Sequence, residues 1–271
     1  MWNGLGREKL QTPEGGRAED RPRRKRARLP NPVRFRYSAS GPLDVFIPLK
    51  DEARSRSFPA INILLILINV AVFFYQLSLQ TTLSRHAYEN FIILNGTVPS
   101  RIPAFLSGHA SFEHAFLPLV TSLFLHGSLL HIAGNMLFLW VFGDNIEDYF
   151  GHLPYLLFYF FCGIGSGLLH VIFNWGSPVP AIGASGAISG VMGAYAVLFP
   201  RERILTLVFI FLVPIPAYFV LGVWFLFQFL AAVNMLGPNS VAAGGGVAVW
   251  AHVGGFLLGM LITGLARRPG G

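Results

Sequence analysis

The chain has 271 residues, of which 53% are hydrophobic and only 12% are charged, and its formal net charge is +7. Soluble domains carry roughly 25% charged residues, so this composition excludes a soluble enzyme. The positive charge is concentrated near the N-terminus, which excludes a nucleic-acid-binding domain with a basic folded face. The only cysteine, Cys162, excludes a disulfide framework and a cysteine-based metal site. The composition is typical of a polytopic membrane protein.

Residues 1–57 are predicted to form a basic, disordered tail. Within it, residues 17–36 hold nine lysine and arginine residues against two acidic ones, interrupted by prolines. We interpret the tail as a cytoplasmic topology signal that also attracts anionic lipids, with a binding site for a specific partner as the alternative. The first apolar run begins only after this tail, so the sequence predicts no cleavable signal peptide.

Six segments are predicted to cross a membrane, which takes about 20 apolar residues each. The fourth is rich in glycine and alanine, and small residues of this kind permit close helix packing in a bilayer. The six segments are 58–77, 119–142, 153–173, 182–199, 217–236 and 249–266. The sequence therefore predicts an all-α bundle of six transmembrane helices with a long first outer loop over 78–118.

A further apolar run over residues 204–215 is too short to cross and contains Pro214. We expect it to be an interfacial or re-entrant segment that leads into the fifth helix.

Basic residues indicate the orientation of the bundle. The tail, the loop with Arg201 and Arg203, and the C-terminal pair 267–268 fall on one side of the six predicted helices. Both termini are therefore predicted to be cytoplasmic. The predicted loop over 143–152 is acidic and so does not support this orientation. Acidic residues, however, have little influence on membrane orientation compared with basic ones.

Polar side chains inside apolar spans are costly, and this chain has several that could carry chemistry. His131 and Asn135 are four residues apart in the second span and share one helix face. Ser185 lies about three residues into the fourth span, and His252 lies about three residues into the sixth. These two spans run in the same direction, so both residues are expected roughly 5 Å below the outer helix ends.

Two pairs of glycines would let the fourth and sixth helices approach closely. The pairs are Gly186 and Gly190 on the fourth helix, and Gly255 and Gly259 on the sixth. A serine hydroxyl becomes a nucleophile when a base lies within about 2.6–3.2 Å of it, and close packing would provide that contact. The alternative is that the glycines serve packing alone and that the serine bonds to its own helix.

The predicted arrangement is a Ser185–His252 dyad, because no Asp or Glu lies in any predicted span to complete a triad. His131 and Asn135 could then stabilise an oxyanion, helped by the backbone N–H of Ser185 at a helix start.

Three motifs carry a resemblance to a known family: HGSLLHIAGN in the second span, GASGAISG in the fourth and AHVGGFLLG in the sixth. They resemble the signatures of rhomboid intramembrane serine proteases of the bacterial type, over roughly residues 45–266. The resemblance implies a six-helix bundle of rhomboid type, no metal or cofactor, and cleavage of membrane-anchored substrates near the outer surface. It also implies a multi-pass protein of the plasma or inner membrane whose partners are membrane proteins and lipids, and not nucleic acid.

The resemblance implies a role for each matching residue. Ser185 falls at the nucleophile, His252 at the base, and His131 and Asn135 at the oxyanion donors. The supporting positions are His126, Gly183, Gly186 and Glu147, of which Glu147 resembles the acid that ties the base of the second span to its neighbours. Some members carry an aromatic residue one turn after the nucleophile to pack on the base, whereas this chain has Ser189 there.

Two other functions are weighed against the protease. A non-catalytic relative that binds membrane helices for trafficking or degradation would be expected to lose the serine or the histidine, and this chain retains both. A transporter or channel would need ionisable relays or broken helices in paired halves, and the sequence has no visible internal repeat.

Overall fold

The structure, a computed structural model, describes residues 46–53, 55–234 and 248–267. These residues form ten α-helices and three β-strands. The helices are α1 (Ala60–Thr82), α2 (Arg85–Asn95), α3 (Arg101–Leu106), α4 (Phe112–Phe116), α5 (Pro118–Thr121), α6 (Leu129–Phe150), α7 (His152–Phe173), α8 (Ser185–Leu198), α9 (Ala217–Asn234) and α10 (Val249–Ala266). The strands are β1 (Phe46–Asp51), β2 (Arg203–Val208) and β3 (Phe211–Pro216).

Five of the described helices, α1, α6, α7, α9 and α10, are long and apolar enough to cross a membrane. The predicted all-α membrane bundle is therefore confirmed. The fourth predicted span corresponds to α8, which has only 14 residues. Every residue from Gly186 to Tyr195 in α8 is buried, as expected of a helix that is apolar on all sides and is surrounded by others.

The predicted bounds of the second span are wrong. Residues 118–124 form the short helix α5 and a 3-10 turn, and the long helix α6 begins only at Leu129. Its start is defined by Ser128, whose hydroxyl accepts a hydrogen bond from the backbone N–H of His131. The helix then continues through the predicted acidic loop to Phe150 and ends at Gly151, which has a φ of +82°.

Because α6 ends at Phe150, eight residues after the predicted end at 142, the expectation that no carboxylate lies in a span is also wrong. Glu147 in α6 is fully buried and accepts hydrogen bonds from the backbone N–H groups of Ile61 and Asn62, at 2.9 and 2.7 Å. These are unpaired N–H groups of the first turn of α1, where the helix dipole favours a negative charge. The carboxylate is retained in the bundle because it caps a neighbouring helix.

The part of the predicted tail next to α1 is ordered, which corrects the expectation of disorder up to residue 57. Strand β1 pairs with β2 in antiparallel fashion, so the chain before the first helix joins the segment after α8. Asp51 at the end of β1 accepts hydrogen bonds from the Tyr195 hydroxyl and the Asn145 amide. Burial raises the pKa of the Asp51 carboxyl above its ordinary value. The basic residues 17–36 lie outside the described residues.

The run over residues 204–215, which is expected to be an interfacial or re-entrant segment, forms a β-hairpin of β2 and β3. Its apolar tip is exposed, with Phe209, Ile210 and Phe211 all more than half accessible. Short apolar runs do not distinguish strand from helix by periodicity, and pairing with β1 decides the outcome here. Helix α9 begins directly after the hairpin, at Ala217.

Helices α8 and α10 pack backbone against backbone. A Cβ atom added to Gly255 would collide with the carbonyl oxygen of Gly186, and one added to Gly259 would collide with that of Gly190. The structure thus brings together the two glycine pairs that the sequence singled out. This packing allows short side chains on the two helices to touch.

Candidate active site

Ser185 is the first residue of α8, whereas the sequence predicts that it lies about three residues into the helix. The chain turns sharply before it at Gly183, whose φ of +128° is a conformation that side chains rarely adopt. The backbone N–H of Gly183 donates to the carbonyl oxygen of Ser122, which anchors this turn. Ser185 therefore stands at a helix N-terminus, half-buried, beside unpaired backbone N–H groups.

Ser185 and His252 lie in hydrogen-bond contact. His252 is the fourth residue of α10, and its Nε2 atom is 2.7 Å from the Ser185 hydroxyl oxygen. The histidine side chain is buried, with a relative exposure of 7%. This is the distance at which a base can take the proton of a serine nucleophile.

The other ring nitrogen of His252 contacts a residue that is not among those predicted from the sequence. Gln228 in α9 is buried, and its Oε1 atom is 2.9 Å from His252 Nδ1. The sequence predicts a dyad because Asp and Glu are the third members expected of a triad. A glutamine within the apolar run WFLFQFL was the available signal, because polar side chains inside spans are costly.

An aromatic side chain packs near His252, but it comes from α9. The ring centroid of Trp224 lies 6.0 Å from that of His252. Ser189, the residue one turn after Ser185, instead donates its hydroxyl to the Ser185 carbonyl oxygen at 2.6 Å. Trp224 thus contacts the histidine from the helix that also supplies Gln228.

Two donors of α6 lie beside the turn that precedes Ser185. A Cβ atom on Gly183 would lie 2.8 Å from Nε2 of His131 and 3.7 Å from Nδ2 of Asn135. Asn135 Nδ2 is buried and has no hydrogen-bond partner among the described residues. An unpaired buried donor of this kind can meet a developing negative charge without reorganisation.

His126 lies before α6 rather than inside a spanning helix, which corrects its predicted place. Its ring packs against that of His131 in an edge-to-face arrangement with centroids 5.1 Å apart. Gln76 of α1 holds its backbone, accepting from the His126 N–H at 3.0 Å and donating to its carbonyl oxygen. His126 therefore supports the position of His131.

The remaining supporting residues have packing contacts. Gly186 faces Ser166 of α7, where a Cβ atom would collide with the hydroxyl. Glu147 is 16 residues after His131 on α6, roughly 24 Å along the helix axis, so the structure does not bring it to Ser185. Among the described residues, no group of three or more His, Cys, Asp or Glu side chains is placed to hold a metal ion.

A small cavity opens beside Ser185. Its polar lining includes Thr97, Ser122, Ser166 and His170, and Gly183 and Gly186 form the wall next to the serine. The hydroxyls of Thr97 and Ser122 are 2.9 Å apart and bond to each other. Small residues leave this space next to the Ser185 hydroxyl.

A model of the Rhomboid domain matches residues 113–269, which is more than half of the chain and includes α6 to α10. The chain belongs to the rhomboid family. The matched region contains both Ser185 and His252 together with the donors on α6.

Several rhomboid proteins are similar to this chain. Rhomboid protein 1, mitochondrial, of Saccharomyces cerevisiae is 31% identical over 149 residues, which are 54% of this chain and 40% of that protein. Rhomboid protease GluP of Bacillus subtilis is 39% identical over 89 residues, 32% of this chain and 17% of that protein. The human presenilin-associated rhomboid-like protein, mitochondrial, is 34% identical over 89 residues, 32% and 24% of the two chains. The chain therefore spans less than half the length of each of these relatives.

Proposed function

We propose that this protein is an intramembrane serine endopeptidase that cleaves transmembrane segments of membrane-anchored substrates near the outer face. The observation that carries the proposal is the 2.7 Å contact between Ser185 Oγ and His252 Nε2. It lies at the junction of two apolar helices held together by glycines. The protease name of one similar protein, GluP, supports the reaction class.

In the proposed mechanism, Ser185 Oγ attacks the scissile carbonyl carbon while His252 Nε2 takes its proton. The carbonyl oxygen becomes negative and meets His131, Asn135 and the N–H groups at the start of α8. His252 then gives the proton to the leaving amine, which breaks the peptide bond. Water, deprotonated by the same histidine, releases the acyl group and restores the serine.

The substrate must present an extended backbone, which a stable apolar helix does not offer. We therefore propose transmembrane segments with Gly, Pro or polar residues near their outer ends. A small residue before the scissile bond is implied by the family resemblance, and the small cavity beside Ser185 would suit it.

We further propose that the protein lies in the plasma or inner membrane with both termini cytoplasmic. The distribution of basic residues supports this orientation. The basic tail would bind anionic lipids on that side. The mitochondrial location in the names of two similar proteins belongs to those proteins.

A fluorophosphonate probe tests the activation of the serine. We expect the wild-type protein in detergent to be labelled, because the probe reacts only with a serine whose proton a base removes. Labelling should disappear in Ser185→Ala, as measured by in-gel fluorescence.

Ser189→Ala is the matched control, since Ser189 is buried on the same helix and its hydroxyl bonds only to a backbone carbonyl. It should be labelled like the wild type. A wild-type protein that is folded but unlabelled would favour the non-catalytic alternative, a protein that binds membrane helices.

The oxyanion role of α6 predicts a kinetic effect. Asn135→Ala should lower kcat by about 10²- to 10³-fold, the usual effect of removing one oxyanion donor, with a smaller change in KM. His131→Ala should lower kcat similarly. The double substitution should raise the activation free energy by less than the sum of the two single effects, because both donors stabilise the same oxyanion. The measurement is cleavage of a transmembrane peptide with a Gly-rich end. An unchanged kcat with a lower melting temperature would assign both residues to helix packing instead.

A further inference from the structure

His252 is held from two sides by residues of two different helices. Its Nε2 atom faces Ser185 of α8 at 2.7 Å, and its Nδ1 atom faces Gln228 of α9 at 2.9 Å. Gln228 is 5% exposed and His252 is 7% exposed. Because both side chains are buried, bulk water cannot readily replace the amide as the partner of Nδ1.

We propose that Gln228 is the positioning residue of His252 and selects the imidazole tautomer that can take a proton from Ser185. The amide oxygen can only accept a hydrogen bond, so Nδ1 must carry the ring proton. The lone pair is then on Nε2, the nitrogen that faces the serine hydroxyl. The catalytic consequence rests on the proposed function, whereas the tautomer itself does not.

The choice of an amide has a physical reason in this location. Helices α9 and α10 are both long and apolar enough to span a membrane, where an ionised carboxylate is expensive to bury. A glutamine oxygen accepts the same hydrogen bond without carrying a charge. When His252 takes the serine proton, both of its N–H groups still have an acceptor.

A second side chain on the same face of α9, that of Trp224, also packs near His252. Trp224 precedes Gln228 by four residues and therefore shares its helix face. Its ring centroid is 6.0 Å from that of His252 and 5.9 Å from that of Phe256. The neighbouring Phe227 and Phe229 point away and are each 42% exposed. The indole thus restricts the imidazole ring while the amide determines which nitrogen is protonated.

The test compares Gln228→Met, which keeps the length of the side chain but removes the acceptor, with Gln228→Glu, which keeps an acceptor. We expect the maximal rate of labelling by a fluorophosphonate probe to fall about 10- to 100-fold in Gln228→Met, because a buried N–H loses its partner. The probe concentration for half-maximal rate should stay unchanged. Gln228→Glu should recover most of the rate.

Nitrogen NMR of protein labelled at histidine provides a readout that does not depend on activity. In the wild type, His252 should be protonated at Nδ1, and in Gln228→Met this tautomer should no longer dominate. Asn69→Leu is the matched control, because Asn69 is another buried amide in a spanning helix and its side chain donates to the Leu65 carbonyl. It should change neither the tautomer nor the labelling rate.

The outcomes separate this inference from the proposed function. A wild-type His252 protonated at Nε2, or a Gln228→Met variant with wild-type tautomer and labelling rate, would overturn the positioning role. A wild-type protein that shows the Nδ1 tautomer, lost in Gln228→Met, but never reacts with the probe supports the positioning role and contradicts the protease.

Discussion

Replacing either Ser185 or His252 by alanine should lower kcat for cleavage of a transmembrane peptide by at least about 10⁴-fold, and replacing both should cost no more than replacing one. The two side chains act in a single proton transfer across a 2.7 Å contact, so neither retains its function without the other. The measurement is single-turnover cleavage in proteoliposomes that contain a peptide with a helix-breaking outer end.

Both single variants should still fold, because Ser185→Ala loses one side-chain hydrogen bond and His252→Ala loses two, each worth about 1 kcal/mol. Both substitutions leave the glycine packing of α8 and α10 intact. Melting temperatures close to that of the wild type would show this. If the reductions in kcat of the two single variants multiplied in the double variant, the two residues would act independently. Substantial cleavage by Ser185→Ala would show that this serine is not the nucleophile.

Gly259→Ala should destabilise the protein by about 1–3 kcal/mol or more, because the added methyl group has no room. It would collide with the carbonyl oxygen of Gly190 in α8, and since backbone lies on both sides, no side chain can rotate away. The two helices would have to separate, which would also lengthen the contact between Ser185 and His252. Unfolding in detergent and the rate of probe labelling should therefore both respond.

Gly264→Ala is the control on the same helix. A Cβ atom there meets nothing within 4 Å, so the substitution should leave labelling unchanged and stability equal or slightly higher. Equal destabilisation by the two substitutions would contradict the view that α8 and α10 require glycine specifically at their contact.

The membrane-protein class and most of the helices could be predicted from local pattern. Long apolar segments free of charge predict spans because the bilayer imposes a length and a composition on each helix separately. The prediction failed where a tertiary contact compensates a polar group. The sequence predicts that Glu147 lies in a loop, yet it lies in α6, where it caps the first turn of α1.

The hairpin after α8 could not be predicted from the sequence for a related reason. Apart from Thr206, residues 204–215 are apolar, and a short apolar run carries no periodicity that separates strand from helix. Strand β1 provides the missing hydrogen-bond partner, and it comes from a segment that the sequence predicts to be part of a disordered tail. Pairing between segments more than 150 residues apart cannot be inferred from either segment alone.

For the candidate site, the sequence by itself determined which residue types were available: one serine and one histidine beside glycine pairs, and two donors on one face of α6. The spacing of the motifs indicates these residues as candidates because close helix packing needs small residues at fixed intervals. Only the tertiary structure decided that Ser185 opens its helix and that Gln228 and Trp224 of α9 contact His252. Which helix faces meet depends on the packing of the whole bundle. The role of a neutral amide such as Gln228 can therefore be inferred only once its hydrogen-bond partner, here His252, is known.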